Sequence, residues 1–210
     1  MSWKQLWIAA LAVVALVSSP AGAQDEKNQL TGIVGRTFIS NQGIRGATFS
    51  NPLLHFGNGL TLEVNYSRYV ITNPLFALSG EVPVVFNLDE DGNSGANVVP
   101  SDYRSYFITP AARVNLFPAM AVSPWVSFGG GLGHFSENSS LISGGTNPGK
   151  SKTTGVLQGG FGLDVKIWRR ISIRGEVRDF WSGEPDFPLA PTGKTRQHNF
   201  LVGAGAIWHF

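Results

Sequence analysis

From Phe200 to Phe210 every second side chain is apolar: Phe200, Val202, Ala204, Ala206, Trp208 and Phe210. A period of two is the signature of a β-strand whose two faces meet different surroundings. The same period recurs in eight runs, roughly Leu30–Ile39, Gly59–Ile71, Leu75–Leu88, Asp102–Phe117, Ser123–Ser136, Lys152–Trp168, Ile171–Ser182 and Gln197–Phe210. Each is about ten to sixteen residues long, and a tilted strand needs about 9–11 to cross a bilayer. The connections between runs are unequal. Thr72-Asn73-Pro74, Pro118 to Val122 and Arg169-Arg170 are short, whereas 40–58, 89–101, 137–151 and 183–196 are long and rich in Gly, Ser, Asn and Pro. Long and short alternate along the whole chain, as short turns at one end of an even-stranded barrel and long loops at the other would require. The pattern predicts an all-β fold, an eight-stranded antiparallel up-and-down transmembrane β-barrel.

Stepping by two assigns the faces. With Phe210 towards lipid, Ile171, Ile173 and Val177 share its side in the seventh strand, opposite Ser172, Arg174, Glu176 and Arg178. In the sixth, Leu157, Phe161, Leu163, Val165 and Ile167 oppose Gln158, Gly160, Gly162, Asp164 and Lys166; in the fourth, Ile108, Ala112, Val114 and Leu116 oppose Thr109, Arg113 and Asn115. Glu63 and Glu81 take the polar side of the second and third, against Leu62, Val64, Val82 and Val84. An Arg or Lys on the lipid face at mid-bilayer costs about 2–4 kcal/mol, so these charges are placed in the lumen. The predicted lumenal network is Glu63, Glu81, Asp164 and Glu176 against Arg113, Lys166, Arg174 and Arg178. Eight strands leave only enough interior for side chains to fill, and buried charges there must be paired. Gly160, Gly162, Gly203 and Gly205 make room for the Arg174–Glu176–Arg178 row, and a salt-bridged, largely closed lumen is expected. Arg36 faces lipid or lumen depending on one residue of register, and Pro83 and Pro110 predict a bulge or gap in the ladder.

The aromatic residues are read as interfacial girdles. Trp125, Trp168, Trp181 and Trp208 fall near predicted strand ends, with Phe76, Phe117 and Phe210 on the short-turn side and Tyr103, Phe135 and Phe180 towards the other.

Ahead of the barrel, Lys4, the apolar stretch Leu6 to Val17 and Ala21-Gly22-Ala23 have the build of a secretory signal peptide. The division expected is a signal over 1–23 and a barrel domain over 24–210. The apolar stretch is too short to span as a helix, which needs about 20 residues. No cysteine is present, which removes disulfide frameworks and thiolate metal sites. Sixteen Lys and Arg against fourteen Asp and Glu make no basic patch, so nucleic acid is not an expected partner.

Three features hint at chemistry, each with a plainer reading. His134 and Ser136 point to one side of a strand, as in outer-membrane lipid A deacylases, but Glu137 has the wrong parity to orient the histidine. An interfacial histidine is the simpler account. Asp89-Glu90-Asp91-Gly92-Asn93 begins like a calcium loop without the acid that would end it. Gly129-Gly130-Gly131-Leu132-Gly133 lacks the strand-to-helix setting of a phosphate cradle. No catalytic residue, metal site or cofactor is assigned.

Taken with the Ile207-Trp208-His209-Phe210 ending, the chain resembles the small outer-membrane β-barrels typified by the OmpA transmembrane domain, over nearly all of its length after the signal. Segments such as Gly175-Glu176-Val177-Arg178-Asp179-Phe180 and Gln197-His198-Asn199 recur in barrels of this type. The resemblance implies the bacterial outer membrane, contact with its lipid and lipopolysaccharide, and assembly by the barrel insertion machinery. That machinery reads the last strand, here Phe200, Val202, Trp208 and Phe210. It also implies roles in envelope integrity, adhesion or weak transport. Tethering to the cell wall is not expected, since the chain reaches Phe210 without the peptidoglycan-binding domain that follows the barrel in full-length OmpA proteins. The expected protein is a non-enzymatic monomer acting through its external loops. The alternatives are a narrow channel for small solutes, a lipid A-modifying hydrolase using His134 and Ser136, and a soluble lipocalin-like carrier. Deleting Phe210 should lower the yield of inserted barrel, read as loss of the heat-modifiable gel band from the outer-membrane fraction.

Overall fold

A computed structural model of the chain describes residues 26–40, 42–43, 53–56, 58–90, 92–94, 98–141, 146–183 and 196–210. The expected signal, 1–23, lies outside them. Eight long antiparallel strands form the wall: β1 (Asn28–Ile39), β2 (Asn58–Thr72), β3 (Phe76–Glu90), β4 in two parts (Val98–Ile108 and Ala111–Leu116), β5 (Val122–Leu141), β6 (Thr146–Trp168), β7 (Ile171–Ser182) and β8 (Gln197–His209). Each pairs with its neighbours in sequence, and β1 pairs with β8 from Gln29↔His209 to Ile39↔Asn199. The backbones of Asn28 and Phe210 clasp that seam with two hydrogen bonds of 3.0 and 2.9 Å. The sheet is a closed barrel, and among the described residues it contains no helix. Closure leaves no free strand edge, so every ladder group can be satisfied within the wall.

Alternation is carried through all eight strands. Ile33 is 2% exposed and its neighbour Val34 59%; Leu201 is 0% exposed and Val202 47%. The outer face carries Leu60, Val64, Val82, Ile108, Val126, Phe128, Leu132, Phe161, Leu163, Ile173 and Trp208, all exposed. Such a continuous apolar skin belongs against lipid. Arg36 is on this skin, between Val34 and Phe38 and in register with Leu60 and Val202.

The loop between β5 and β6 is shorter than the sequence pattern predicts. The two strands keep pairing out to Ser140↔Thr146, past a register shift between Asn147 and Lys150. At the same end of the barrel, Gln42–Gly43, Leu53–Phe56 and Gly92–Ser94 form a separate three-stranded sheet that ties the first long loop to the second. The side chains of the acidic run 89–93 lie outside the described residues.

The two prolines make one interruption rather than two. The register that pairs Val84 with Ile108 and Glu81 with Ala111 sets Thr109 opposite Pro83. The wall strand breaks at Thr109-Pro110. Neither proline has an N–H to give, but their carbonyls still accept, Pro83 from Thr109 at 3.3 Å and Pro110 from Gly130 at 3.1 Å. These two prolines withhold their donors at neighbouring points, and the ladder keeps its register across them.

Three aromatic placements from the sequence are corrected. Trp125, Phe135 and Phe180 are not in an outer girdle: they point inward and are 1%, 3% and 1% exposed. Trp125 shares its face with Ser123 and Ser127, also buried, while Val122, Val126 and Phe128 face out. Trp168, Trp181 and Trp208 are exposed on the outside. Tyr103 has no described side chain.

Glycines on the inner face set the space for these bulky groups. A Cβ at Gly162 would meet the Trp125 ring at 2.7 and 2.9 Å and the Gly175 carbonyl oxygen, whereas one at the outward Gly159 would meet nothing within 4 Å. Gly162→Val should therefore lower the unfolding free energy by about 1–3 kcal/mol, and Gly159→Val should raise it by about 0.5–1 kcal/mol. Urea unfolding of the barrel in lipid vesicles measures both.

Candidate functional site

The inward side chains sort into zones along the barrel axis. Near the end that carries the long loops, Ile39, Val85, Phe107, Phe135, Val156, Phe180 and Leu201 form a buried apolar cluster. Each comes from a different strand, so together they make a belt. Phe107 stacks on Phe180 at 5.0 Å and 11° and meets Phe135 edge-on at 5.6 Å, geometries favoured by the ring quadrupole. Beside the belt a polar relay crosses four strands. Asn87 Oδ1 accepts from Thr37 at 2.9 Å and Thr61 at 2.8 Å, and Asn87 Nδ2 donates to Ser105 at 2.8 Å.

Below the belt, towards the short turns, lies the charged zone, and Trp125 is its centre. The guanidiniums of Arg174, Arg178 and Arg113 stand 4.8, 5.0 and 5.8 Å from its ring, within cation–π range. Its indole Nε1–H donates to Asp164 Oδ1 at 3.1 Å. Asp164 also takes the Arg174 fork in two parallel bonds, Nε to Oδ1 at 2.7 Å and Nη2 to Oδ2 at 2.8 Å. This bidentate form is the strongest of side-chain pairings. Arg178 reaches three carboxylates: Glu176 at 2.9 Å, Glu81 at 2.8 Å and Glu63 at 3.5 Å. Glu81 binds Arg113 as well, at 3.4 Å, and accepts from Asn65 at 3.0 Å. The cluster thus links β2 to β7, six strands in all, through side chains alone.

Of the eight charges placed in the lumen from the sequence, seven are gathered here. Lys166 is not. It has inward parity, but as the last such position before the turn at Arg169 it emerges exposed at the mouth. It lines a recess of about 660 Å³ at the short-turn end, together with Asp164, Asn115, Ser172, Tyr69 and His209. Neutral members of the network were not foreseen from the sequence: Gln29, Asn65, Ser67 and Asn115 are all buried and bonded to the charges. A single Gln or Asn on a polar face carries no signal until its neighbours across the sheet are known.

A Ser–His contact in the recess has to be weighed as chemistry. Ser172 Oγ lies 2.8 Å from His209 Nε2. On the other side of the ring, Gln29 Nε2 faces His209 Nδ1 at 3.3 Å and donates to the Tyr69 hydroxyl at 2.7 Å. Gln29 Oε1 already accepts from Ser67 and Arg113, so the amide is fixed with its nitrogen towards the histidine. His209 Nδ1 is therefore an acceptor, and Nε2 carries the hydrogen and donates it to Ser172. A general base needs a bare nitrogen facing the hydroxyl. This pair has the opposite tautomer, and it fastens β8 to β1 and β7 instead of activating a nucleophile. His134 likewise bonds Thr153 at 2.9 Å, while Ser136 is set opposite Ser151 and Arg104.

A closed eight-stranded wall, apolar outside and charged within, is the architecture of one class of protein. The chain belongs to the outer membrane protein beta-barrel domain family. The match runs over residues 9–208. No curated protein matches the sequence. Among solved structures the barrel is similar to Neisserial surface protein A, at TM-score 0.53 and 12% identity over 87% of this chain and 97% of that one. It is also similar to the outer membrane protein OprG from Pseudomonas aeruginosa, at TM-score 0.53 and 10% identity over 88% and 95%. The outer membrane protease OmpT from Escherichia coli aligns at TM-score 0.44 and 10% identity over 92% and 99%, too slight a likeness to say anything of activity. These similarities establish the fold, and the family establishes an outer-membrane barrel.

Within this barrel Arg178 bears on the most carboxylates. Arg178→Met leaves Glu63, Glu81 and Glu176 buried without their shared cation, and should cost about 3–5 kcal/mol. Arg170, whose contact with Glu26 is largely solvent-exposed, should cost no more than about 1 kcal/mol when replaced by Ala. Denaturant titration in vesicles separates the two.

Proposed function

We propose that the protein is a non-enzymatic structural or surface-interaction barrel of the bacterial outer membrane, with a lumen plugged by its own side chains. In this reading a cleaved signal over 1–23 takes the chain across the inner membrane. The barrel machinery then inserts it through the β8 strand, with the termini in the periplasm and four loops outside. It works as a monomer, its outer skin against membrane lipid and lipopolysaccharide. What carries the proposal is the packing around Trp125, where Arg113, Arg174 and Arg178 are each 0% exposed. Guanidiniums without water contact leave no hydrated path at that level, and the apolar belt above them offers an ion nothing to bind. The long loops are then the part of the molecule free to meet a partner.

A narrow channel is the second reading, and the recess near Asp164 and His209 favours it, since it would serve as the inner vestibule. Planar-bilayer recording decides between them. Wild-type barrel should show no large, stable conductance, and neutralising Arg174 or Glu176 should raise whatever current is present. A steady wild-type conductance of ordinary porin size would establish the channel and end the plug.

A further inference from the structure

The buried charges do not balance. Glu63, Glu81, Asp164 and Glu176 are buried with Arg113, Arg174 and Arg178, while Lys166 stands exposed at the mouth. That leaves four carboxylates for three guanidiniums, and an arginine does not give up its charge. Three of the acids have close donors: Asp164 holds Arg174, Glu81 holds Arg178 and Arg113, and Glu176 holds Arg178 Nε at 2.9 Å and Nη2 at 3.3 Å. Glu63 is different. Neither of its carboxyl oxygens has a hydrogen-bond partner. Its contact with Arg178 is 3.5 Å, to a nitrogen that already donates to Glu176. The groups that bear on Glu63 are Arg178 and Glu176 from β7 and Glu81 from β3, and Glu63 Oε1 and Glu176 Oε1 stand 3.5 and 2.9 Å from the same nitrogen, Arg178 Nε. Two carboxyls this close in a dry site are not both ionised.

We propose that the lumen binds one proton, held as an O–H···O bond between the carboxyls of Glu63 and Glu176, which brings the buried cluster to neutrality. The proton comes from water during folding. Glu63 is an ionised carboxylate in the unfolded chain above about pH 4.3, and it gains the proton when the strands close round it. One otherwise unsatisfied oxygen then becomes the donor and Glu176 the acceptor. A metal ion could supply the missing charge in principle. Among the described residues, though, no group of three or more His, Asp or Glu is placed to hold one. The assignment is independent of whether the lumen conducts.

Infrared spectroscopy of the barrel in vesicles at neutral pH tests it. The carbonyl stretch of a protonated carboxylic acid should be present in the wild type and absent from Glu63→Gln, while Asp179→Asn, on the outer wall, leaves it in place. The folded form holds a proton that the unfolded chain has released, so stability should fall as pH rises above the unfolded glutamate range. The loss is up to tenfold in the unfolding constant per pH unit, until the barrel itself releases the proton. Glu63→Gln should flatten that slope. An absent acid band in the wild type overturns the proposal, and needs no variant to fold. So does an unaltered slope in Glu63→Gln, or a stability that follows sodium concentration instead of pH.

Discussion

Everything in this barrel is governed by the width of its interior, which in an eight-stranded wall is just enough for side chains to fill. Any charge pointed into that space must find its counter-charge among the other inward side chains, because no solvent shell is on hand to hold it. Arg174 solves this with a planar fork on Asp164, Arg178 by gathering carboxylates from three strands, and both by lying over the face of Trp125. A lysine could not substitute in this arrangement: a compact ammonium has neither the fork nor the flat face that stacks on an indole. Lys166, which has inward parity, sits where the lumen opens, as its stronger hydration would require.

Ion pairs in such a place are weak evidence for stability, since a well-packed apolar core would do as well or better. Their presence is better explained by what the strands must avoid before they close. A strand apolar on both faces reads as a continuous hydrophobic run, and a run long enough to be taken for a membrane helix or a sticky edge is a hazard on the way to the outer membrane. Polar inward positions keep each strand half hydrophilic and make a one-residue slip costly, since a slip would send Arg174, Glu176 and Arg178 into lipid. The apolar belt fits the same rule. Its members are single residues on separate strands, such as Phe107 between Ser105 and Thr109, or Leu201 between Asn199 and Gly203. No strand becomes apolar throughout, yet closure brings seven of these residues to one level.

That arrangement also explains which parts of the structure could be read from the chain. Strand order and facing are properties of one strand and its neighbours in sequence, so they were legible, whereas much of the predicted long connection 137–151 proved to be paired strand. The belt was not, because each member is an isolated apolar residue on a polar face and only the closed sheet shows that they meet. Trp125 was misplaced for a related reason. Its parity with Ser123 and Ser127 already put it inside, but its nearness to a strand end invited the girdle reading; its place at the centre of three guanidiniums depends on β4, β6 and β7 curving round to the same point. Arg36 was ambiguous because a register slip of one exchanges its faces, and pairing with both β8 and β2 is needed to settle it outward.

The outer rim near β7 and β8 follows the logic of the interior in a wetter setting. Asp179 and His198 face outward and bond at 2.7 Å, with the histidine ring stacked between Trp181 and Phe200 at 12° and 8°. Arg196 lies over the far partner, Trp181, at 4.5 Å. An exposed contact of this kind is worth little by itself, but flanking rings cover its sides and fix its direction along the strand. Aromatic side chains with a polar edge are the groups suited to the boundary between hydrocarbon and headgroups. On this side the apolar skin of β8 runs from Trp208 to Phe200 and ends where His198 begins. Inside and out, then, the same device recurs: an aromatic ring lies beside cations held near a low-dielectric surface, Trp125 beside Arg113, Arg174 and Arg178, and Trp181 beside Arg196.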